Sequence, residues 1–599
     1  MPTSAFRLRV FAFVAGIAVS VVCAAASADP PSRVARLGYT SGAVSLSPAG
    51  ENDWVLATIN RPLVNGDRLW ADAGARAELQ DGGALIRLNS NTGVSVLNLD
   101  GQITQLQLTQ GVLNVRLRRL SPGQVFEVDT PRLAFTLRQS GDYRIAVDTD
   151  GYATDVIVRQ GQGEVTGEGA GYLVDAQQRY RFRGRDLRDY EFLQAPRPDE
   201  FDQWAAERDR AFENSAAARY VAPDVVGYQD LDANGSWRVD ETYGNVWVPH
   251  RVAADWAPYR DGHWAWIDPW GWTWIDDAPW GFAVSHYGRW ANLGGTWCWV
   301  PGPRHAPAYY APALVVFVGG DNFRLTGSGG HVGGVAWFPL APREVYRPAY
   351  SVSRSYFENV NRSNTVLSST VINNTYNTTV VSSTVYANRH IPGAVVAVPR
   401  DAFVQSQPVA RARVHVNPEQ FGNAAVATSP RLAPTEQGVR GAAGPRERPP
   451  ARVFERPVVT VTAPPTSRVQ VLTPVPAVAP PPQRVAEPKA VAPQASPAIP
   501  SPPQRSAPAP LLPVTRVAPP APTAATVPNA APVPPAAPAR AARPVQPRPL
   551  VAAPEPPPPQ IQRAPVAEPH GHKPAPAASK PHELEKGRDA PKHQEENRK

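Results

Sequence analysis

Cysteine and methionine are almost missing from this chain, which has two Cys and one Met in 599 residues. Cys23 lies in an apolar leader that reads as cleaved, so one thiol, Cys298, remains in the mature chain. A lone cysteine forms no intrachain disulfide, no structural zinc site and no C-x-x-C redox pair. Its neighbours Trp297 and Trp299 would point to the opposite face of a strand, so Cys298 reads as a small buried residue. Catalytic signatures are missing too. There is no H-E-x-x-H, no G-x-S-x-G, no P-loop and no G-x-G-x-x-G between a strand and a helix. His250, His263 and His286 fall at different phases of the chain's internal repeat, so the repeat does not gather them. No metal or cofactor is expected, and the expected class is not an enzyme.

A second long apolar run is also lacking. Residues 1–28 hold the one that exists: Arg7 and Arg9, an apolar core from Val10 to Ala26, and Ala26-Ser27-Ala28 as an A-x-A cleavage site. These residues read as a secretory signal peptide. The run is too short and too rich in small residues for a permanent span. Val21-Val22 before Cys23 does not fit a lipidation site. The mature chain is therefore expected in the periplasm, with no integral membrane span. The net charge of +8 is spread thinly, with no basic helix or compact basic and aromatic module. Nucleic acid is not an expected partner.

Tryptophan is abundant. Twelve of the 16 lie between Trp237 and Trp299. Trp237, Trp264 and Trp290 are spaced by 27 and 26 residues, and Trp247, Trp274 and Trp299 by 27 and 25. A period in this range marks stacked supersecondary units. Each unit reads as a hairpin with one tryptophan-bearing strand on either side of a turn, and residues 226–350 read as a Trp-rich β-repeat domain. Two uses of the rings stay open. They pack on one another as a core, or one face is exposed as a sugar-stacking platform made of Trp256, Tyr259, Trp264, Trp266, Trp270, Trp272, Trp274, Trp280, His286, Tyr287 and Trp290. Asp268, Asp276 and Asp277 lie among these rings, and glycosidic chemistry would need two carboxylates about 5–10 Å apart across a cleft.

Around this domain the class is mainly β. Residues 33–184 alternate polar and apolar side chains, as in Ala43-Val44-Ser45-Leu46 and Val112-Leu113-Asn114-Val115, with turns at Gly66-Asp67 and Asp100-Gly101. They read as one all-β domain. Residues 198–219 read as a connector helix, with Asp199 and Glu200 at its start and Phe201, Trp204, Ala205, Arg208, Ala211 and Phe212 along one stripe. Residues 351–410 are rich in Asn, Thr and Val and read as an extended β arm. From residue 430 to 599 the composition is Pro- and Ala-rich and reads as a long disordered tail. Asp230-Leu-Asp232-Ala-Asn234-Gly235 with Glu241 has calcium-loop spacing. No helix enters or leaves it in the pattern, Arg238 takes an oxygen position, and Asn234-Gly235 also fits a tight turn.

Two resemblances add to this reading. Arg33-Val-Ala-Arg-Leu37, Gly42-Ala-Val-Ser-Leu46, Asn60-Arg-Pro-Leu-Val-Asn-Gly-Asp67, Glu127-Val-Asp-Thr-Pro131 and Gly141-Asp-Tyr-Arg-Ile145 resemble the FecR-type periplasmic domain. That resemblance implies an extracytoplasmic β domain that contacts proteins. Tyr243-Gly-Asn-Val-Trp-Val-Pro249, Pro269-Trp-Gly-Trp-Thr-Trp274, His286-Tyr-Gly-Arg-Trp290, Trp337-Phe-Pro-Leu340 and Ala397-Val-Pro-Arg-Asp-Ala-Phe403 resemble DUF6600, an uncharacterised proteobacterial module that often follows a FecR-like domain. The resulting expectation is a non-enzymatic envelope protein that binds or scaffolds an unidentified protein. Binding of peptidoglycan or another glycan is the alternative, and glycan hydrolysis the third reading.

Overall fold

The computed structural model of the chain describes residues 29–319, 323–327, 330–377, 385–417, 421–422, 424–464 and 471–474. The signal-peptide reading of residues 1–28 and the tail beyond residue 474 lie outside the described residues.

The chain is mainly β. Period-two alternation builds the amino-terminal domain as two mainly antiparallel sheets that share one long strand, Ile103–Leu117. The second half of this strand pairs with Ala84–Leu88 and Gly141–Val147. Its first half pairs with Thr92–Leu99 and, in parallel, with Val125–Asp129. Gly111 marks the change of sheet. Its φ is 97°, and an added Cβ would lie 2.5 Å from Thr92 Cα, so a side chain there would meet backbone. Leu106, Leu108, Leu113, Val115, Phe126, Val128, Tyr143 and Ile145 face the core between the sheets. The domain runs past residue 184, because Arg179–Phe182 pairs with Tyr190–Leu193.

The connector helix spans Glu200–Glu213. Asp199 and Asp202 close a reciprocal capping box at its start, which satisfies amides that the first turn leaves free. Phe201, Ala205 and Phe212 are buried, whereas Ala211 is exposed. The helix lies on the amino-terminal domain. Its Trp204 ring meets Tyr39 at 5.7 Å, and its Arg208 reaches the buried Glu78.

The tryptophan repeat forms three hairpins that place one indole opposite another at the same position. Trp237 faces Trp247, Trp264 faces Trp274, and Trp290 faces Trp299. The first and third hairpins join through Trp247 and Trp299 into a four-stranded sheet. A further sheet is built by Val315–Val318, Gly330–Pro339, Val396–Pro399 and Val426–Ala427. The module therefore draws on chain well past residue 350.

Residues 351–410 correct the β-arm expectation. They hold helices at Arg354–Arg362 and Ser369–Asn377, and their one strand is Val396–Pro399. The Ser353 hydroxyl accepts from Tyr356 N and caps the first helix, while Tyr356, Phe357 and Val360 bury one helical face. Capping and i, i+4 burial thus outweigh the strand preference of the Thr and Val residues nearby. Residues 430–464 correct the tail expectation: Leu432 O accepts from Trp272 Nε1 at 2.9 Å in the tryptophan-rich module, and Pro445-Arg446 pairs with Trp54-Val55 of the amino-terminal domain.

The two domains share a polar seam. Arg36 is buried and donates to Asn60 Oδ1 at 2.9 Å, Gln80 Oε1 at 3.1 Å, Asp230 Oδ2 at 2.5 Å and Pro279 O at 2.7 Å. Asn60 Nδ2 donates to Asp276 O and Ala278 O at 2.8 and 2.6 Å. Val34 and Leu85 of the first domain pack into the same apolar cluster as the tryptophans.

Candidate functional site

The eleven aromatic residues singled out by the sequence come together, but as an interior. Trp264, Trp274, Trp290, Tyr259 and His286 are at most 2% exposed. Trp270, Trp272, Trp280 and Tyr287 are also buried, leaving Trp256 and Trp266 half-buried. The exposed platform is therefore corrected to a core. The rings meet edge to face: Trp264 and Trp274 at 5.5 Å and 69°, Trp266 and Trp272 at 5.6 Å and 88°, Trp256 and Trp290 at 5.4 Å and 64°. Such geometry suits aromatic packing. A sugar face needs open, similarly oriented rings, which this arrangement does not provide.

The polar atoms of the rings are largely consumed inside. Trp274 Nε1 donates to Asp276 Oδ2 at 2.9 Å, Trp290 Nε1 to Val284 O at 3.0 Å, and Trp299 Nε1 to Tyr287 O at 2.8 Å. Tyr259 Oη donates to Ser285 O at 2.7 Å. His286 Nδ1 lies 2.8 Å from Ala311 O, and burial pushes its pKa down to about 3, so the ring is neutral. Phe317, Trp337 and Phe403 complete the cluster around Trp264 at 5.2, 5.3 and 5.5 Å. These three lie outside the 26-residue register, so the repeat gives no signal for them.

One opening breaks this interior. A cavity of about 140 Å³ lies between Trp264, Trp266, Trp270, Trp272, Tyr346 and Tyr350. Trp264 Nε1 is buried without a hydrogen-bond partner. The three candidate carboxylates do not converge there. Asp268 is exposed and accepts from Trp266 Nε1 at 2.9 Å. Asp277 is exposed, 3.9 Å from His263 Nδ1. Asp276 is buried, caps its own hairpin through Ala278 N at 3.0 Å, and is pushed up to about 7 by burial.

The calcium-like segment is spent on structure. Asp230 pairs with Arg36, Asp232 accepts from Ala216 N and Ala217 N at 3.0 and 2.9 Å, and Glu241 is exposed in a turn. Residues Leu231–Asn234 form a helical turn, not the tight β-turn that Asn234-Gly235 suggests. Among the described residues no group of three His, Cys, Asp or Glu side chains is arranged to hold a metal. Cys298 is fully buried beside Val246, Ala291 and Val300, opposite to its tryptophan neighbours, and burial raises its pKa. Among the described residues no helix is long and apolar enough to cross a membrane.

A different surface stands out in the amino-terminal domain. The strand Tyr190–Gln194 pairs with Gln178–Phe182 and, among the described residues, with no strand on its other side. Phe192 is 54% and Leu193 42% exposed. Tyr172, Tyr180, Tyr190 and Phe192 form a continuous row on one face, with Tyr180 5.8 Å from Tyr190 and 4.9 Å from Phe192. Tyr172, Tyr180 and Tyr190 are half-buried against the core, so the apolar groups this open edge exposes are Phe192 and Leu193, and such an edge can accept a partner strand. The sequence shows the aromatics but not that the strand ends a sheet.

Among curated proteins none matches this sequence. Two crystal structures of a protein from Parabacteroides distasonis, described as a candidate anti-sigma factor, are similar to part of it at 14% and 13% identity. Each similarity covers 24% of this chain, with a TM-score of 0.20. The chain spans 63% and 64% of the length of those two structures. Residues 228–344, which hold the three hairpins and the strands Val315–Val318 and Gly330–Pro339, match the family model DUF6600, a family of unknown function.

Proposed function

We propose that this chain is an exported, non-enzymatic protein of the cell envelope that binds a protein partner and holds it on a rigid two-domain body. The observation that carries this reading is the open aromatic edge at Tyr190–Gln194, on a body whose tryptophans are internal. An unpaired strand offers backbone donors and acceptors, and exposed Phe192 and Leu193 add apolar area for a partner to cover. The leader at residues 1–28 and the resemblance to FecR-type domains support an extracytoplasmic, protein-contacting role. Glycan binding is the second reading, favoured by the cavity beside the half-buried Trp266.

One paired experiment separates them. A photocrosslinking residue in place of Phe192 in the full chain, expressed in its native host, is expected to give discrete protein adducts. The purified full chain is expected to show no saturable co-sedimentation with peptidoglycan. No adduct from position 192, together with saturable co-sedimentation lost in a folded Trp266→Ala variant, would replace this reading with the glycan one.

A further inference from the structure

Residues 444–462 leave the tryptophan-rich module and run back over the amino-terminal domain as a strap. Leu56 N donates to Gly444 O at 3.0 Å, and Pro445-Arg446 pairs antiparallel with Trp54-Val55. A helical turn, Arg452–Glu455, then drops Val453 between Trp54 and Trp70, where it is fully buried. Gly93 makes room for it: a Cβ there would lie 2.4 Å from Val453 Cγ1. Beyond the turn, Val459 N donates to Thr130 O at 2.9 Å. Glu127 Oε1 accepts from Val461 N and Thr462 N at 2.9 and 3.1 Å, and Glu127 Oε2 accepts from Thr462 Oγ1 at 2.7 Å. Gln105 Nε2 donates to Thr460 Oγ1 and Thr462 O at 2.8 and 2.6 Å.

The covered surface has the pattern of one made to meet water. Along Ile103–Leu117 and Val125–Asp129 the inward residues Leu106, Leu108, Phe126 and Val128 are core. The alternate residues facing the strap are Gln105, Gln107, Thr109, Glu127 and Asp129. An antiparallel sheet with one face in water alternates apolar and polar side chains, and this one does. Burial and the neighbouring Glu127 carboxylate push Asp129 well above the usual carboxylate range, so covering this face has a cost. The strap also leaves space: a cavity of about 370 Å³ lies beside Phe454, walled in part by Glu51, Arg68 and Gln107. Most contacts of the floor are to strap backbone atoms and threonine hydroxyls. They fit any chain that carries a small aliphatic residue in one helical turn, followed seven and nine positions later by threonine in an extended stretch.

We propose that this groove is a peptide-docking site of the amino-terminal domain, and that residues 444–462 are its resident ligand, displaced by a Val- and Thr-rich segment of a partner protein. This rests on the protein-interaction reading, and it places a second contact away from the Tyr190–Gln194 edge.

The test uses the full chain with Val453→Asp, which puts a charge into the Trp54 and Trp70 pocket and frees the strap. A fluorescent synthetic peptide of residues 444–464 is titrated in. The variant is expected to bind it with Kd of about 1–100 μM. Wild type, its groove filled, should bind at least about tenfold more weakly, as should the double variants with Gly93→Val or Glu127→Ala. Hydrogen exchange should show the amides of 459, 461 and 462 freed while strand Gly141–Val147 stays protected. If Val453→Asp disturbs the domain, Thr462→Pro, which removes one N–H from Glu127, is expected to give the same peptide binding and to free the amides of 459 and 461. Freed strap amides with no peptide binding would overturn the proposal. So would strap amides that stay protected in both variants. A wild-type dimer formed by strap exchange would make a second copy the occupant and overturn it too. Failure here leaves crosslinking at position 192 unaffected, so the two readings fail separately.

Discussion

Trp264→Ala is expected to destabilise the full chain by about 3–5 kcal/mol, the cost of emptying a large, buried aromatic site. Trp264 is 1% exposed and touches Trp274, Phe317, Trp337 and Phe403, which come from four separate segments. No single neighbour can move in to fill the space, because each is held by its own strand or helix. The same change at half-buried Trp266, whose ring meets Trp272 and donates to exposed Asp268, should cost roughly 1–2 kcal/mol. Denaturant unfolding of the two variants side by side gives the comparison. Equal, small losses would mean that the rings are a surface and not a core.

The second large effect is expected at Glu78. This fully buried carboxylate accepts from Arg87 Nε at 2.8 Å, Arg208 Nε at 2.7 Å, Arg208 Nη2 at 2.8 Å and Gln80 Nε2 at 2.9 Å. It ties the connector helix, through Arg208, to the sheet. Burial raises its pKa, but the Arg208 hydrogen bonds and the charges of Arg87 and Arg208 outweigh this and hold it at about 2. Glu78→Gln removes the negative charge, takes the carboxylate partner from Arg208 and leaves the fully buried Arg87 with Asp209 alone, at a cost of about 3–5 kcal/mol near neutral pH. The sign with pH follows from the lowered pKa. The contribution is complete above the unfolded carboxylate pKa, about 4.3, and is lost as pH falls through about 2. The gap between wild type and variant should therefore close between pH 4.5 and pH 2. A gap that stays constant over that range would mean that Glu78 does not carry the charge that pins the helix.

How much the sequence shows depends on where the physical signal is local. The tryptophan hairpins are legible because a repeated spacing and a period of two place Trp264 opposite Trp274 without any knowledge of the rest. Whether those rings are inside is not local. It is decided by Phe317, Trp337 and Phe403, which fold over from distant chain. Residues 351–410 mislead because Thr and Val favour strands on average, while the deciding features are one capping serine and the burial of Tyr356, Phe357 and Val360. The strap is hidden by composition. Averaged over 430–599 the chain is Pro- and Ala-rich, and four buried residues, Val453, Val458, Val459 and Thr460, do not change that average. The calcium-like spacing of Asp230 to Glu241 shows the reverse case, where a pattern matches and tertiary partners such as Arg36 claim its ligands. The Tyr190–Gln194 edge lies in the interval between the β domain read to residue 184 and the helix read from 198, and only topology shows it as a strand that lacks a second neighbour.

The central claim is that the tryptophan ladder is a closed core, leaving partner contact to the β edge and the groove. Acrylamide quenching of the native full chain tests it most directly. Twelve of the 16 tryptophans are buried and four are half-buried, so most of the emission should be shielded and become quenchable only on unfolding. Native emission quenched nearly as well as in the unfolded chain would contradict the account and return the ladder to the surface.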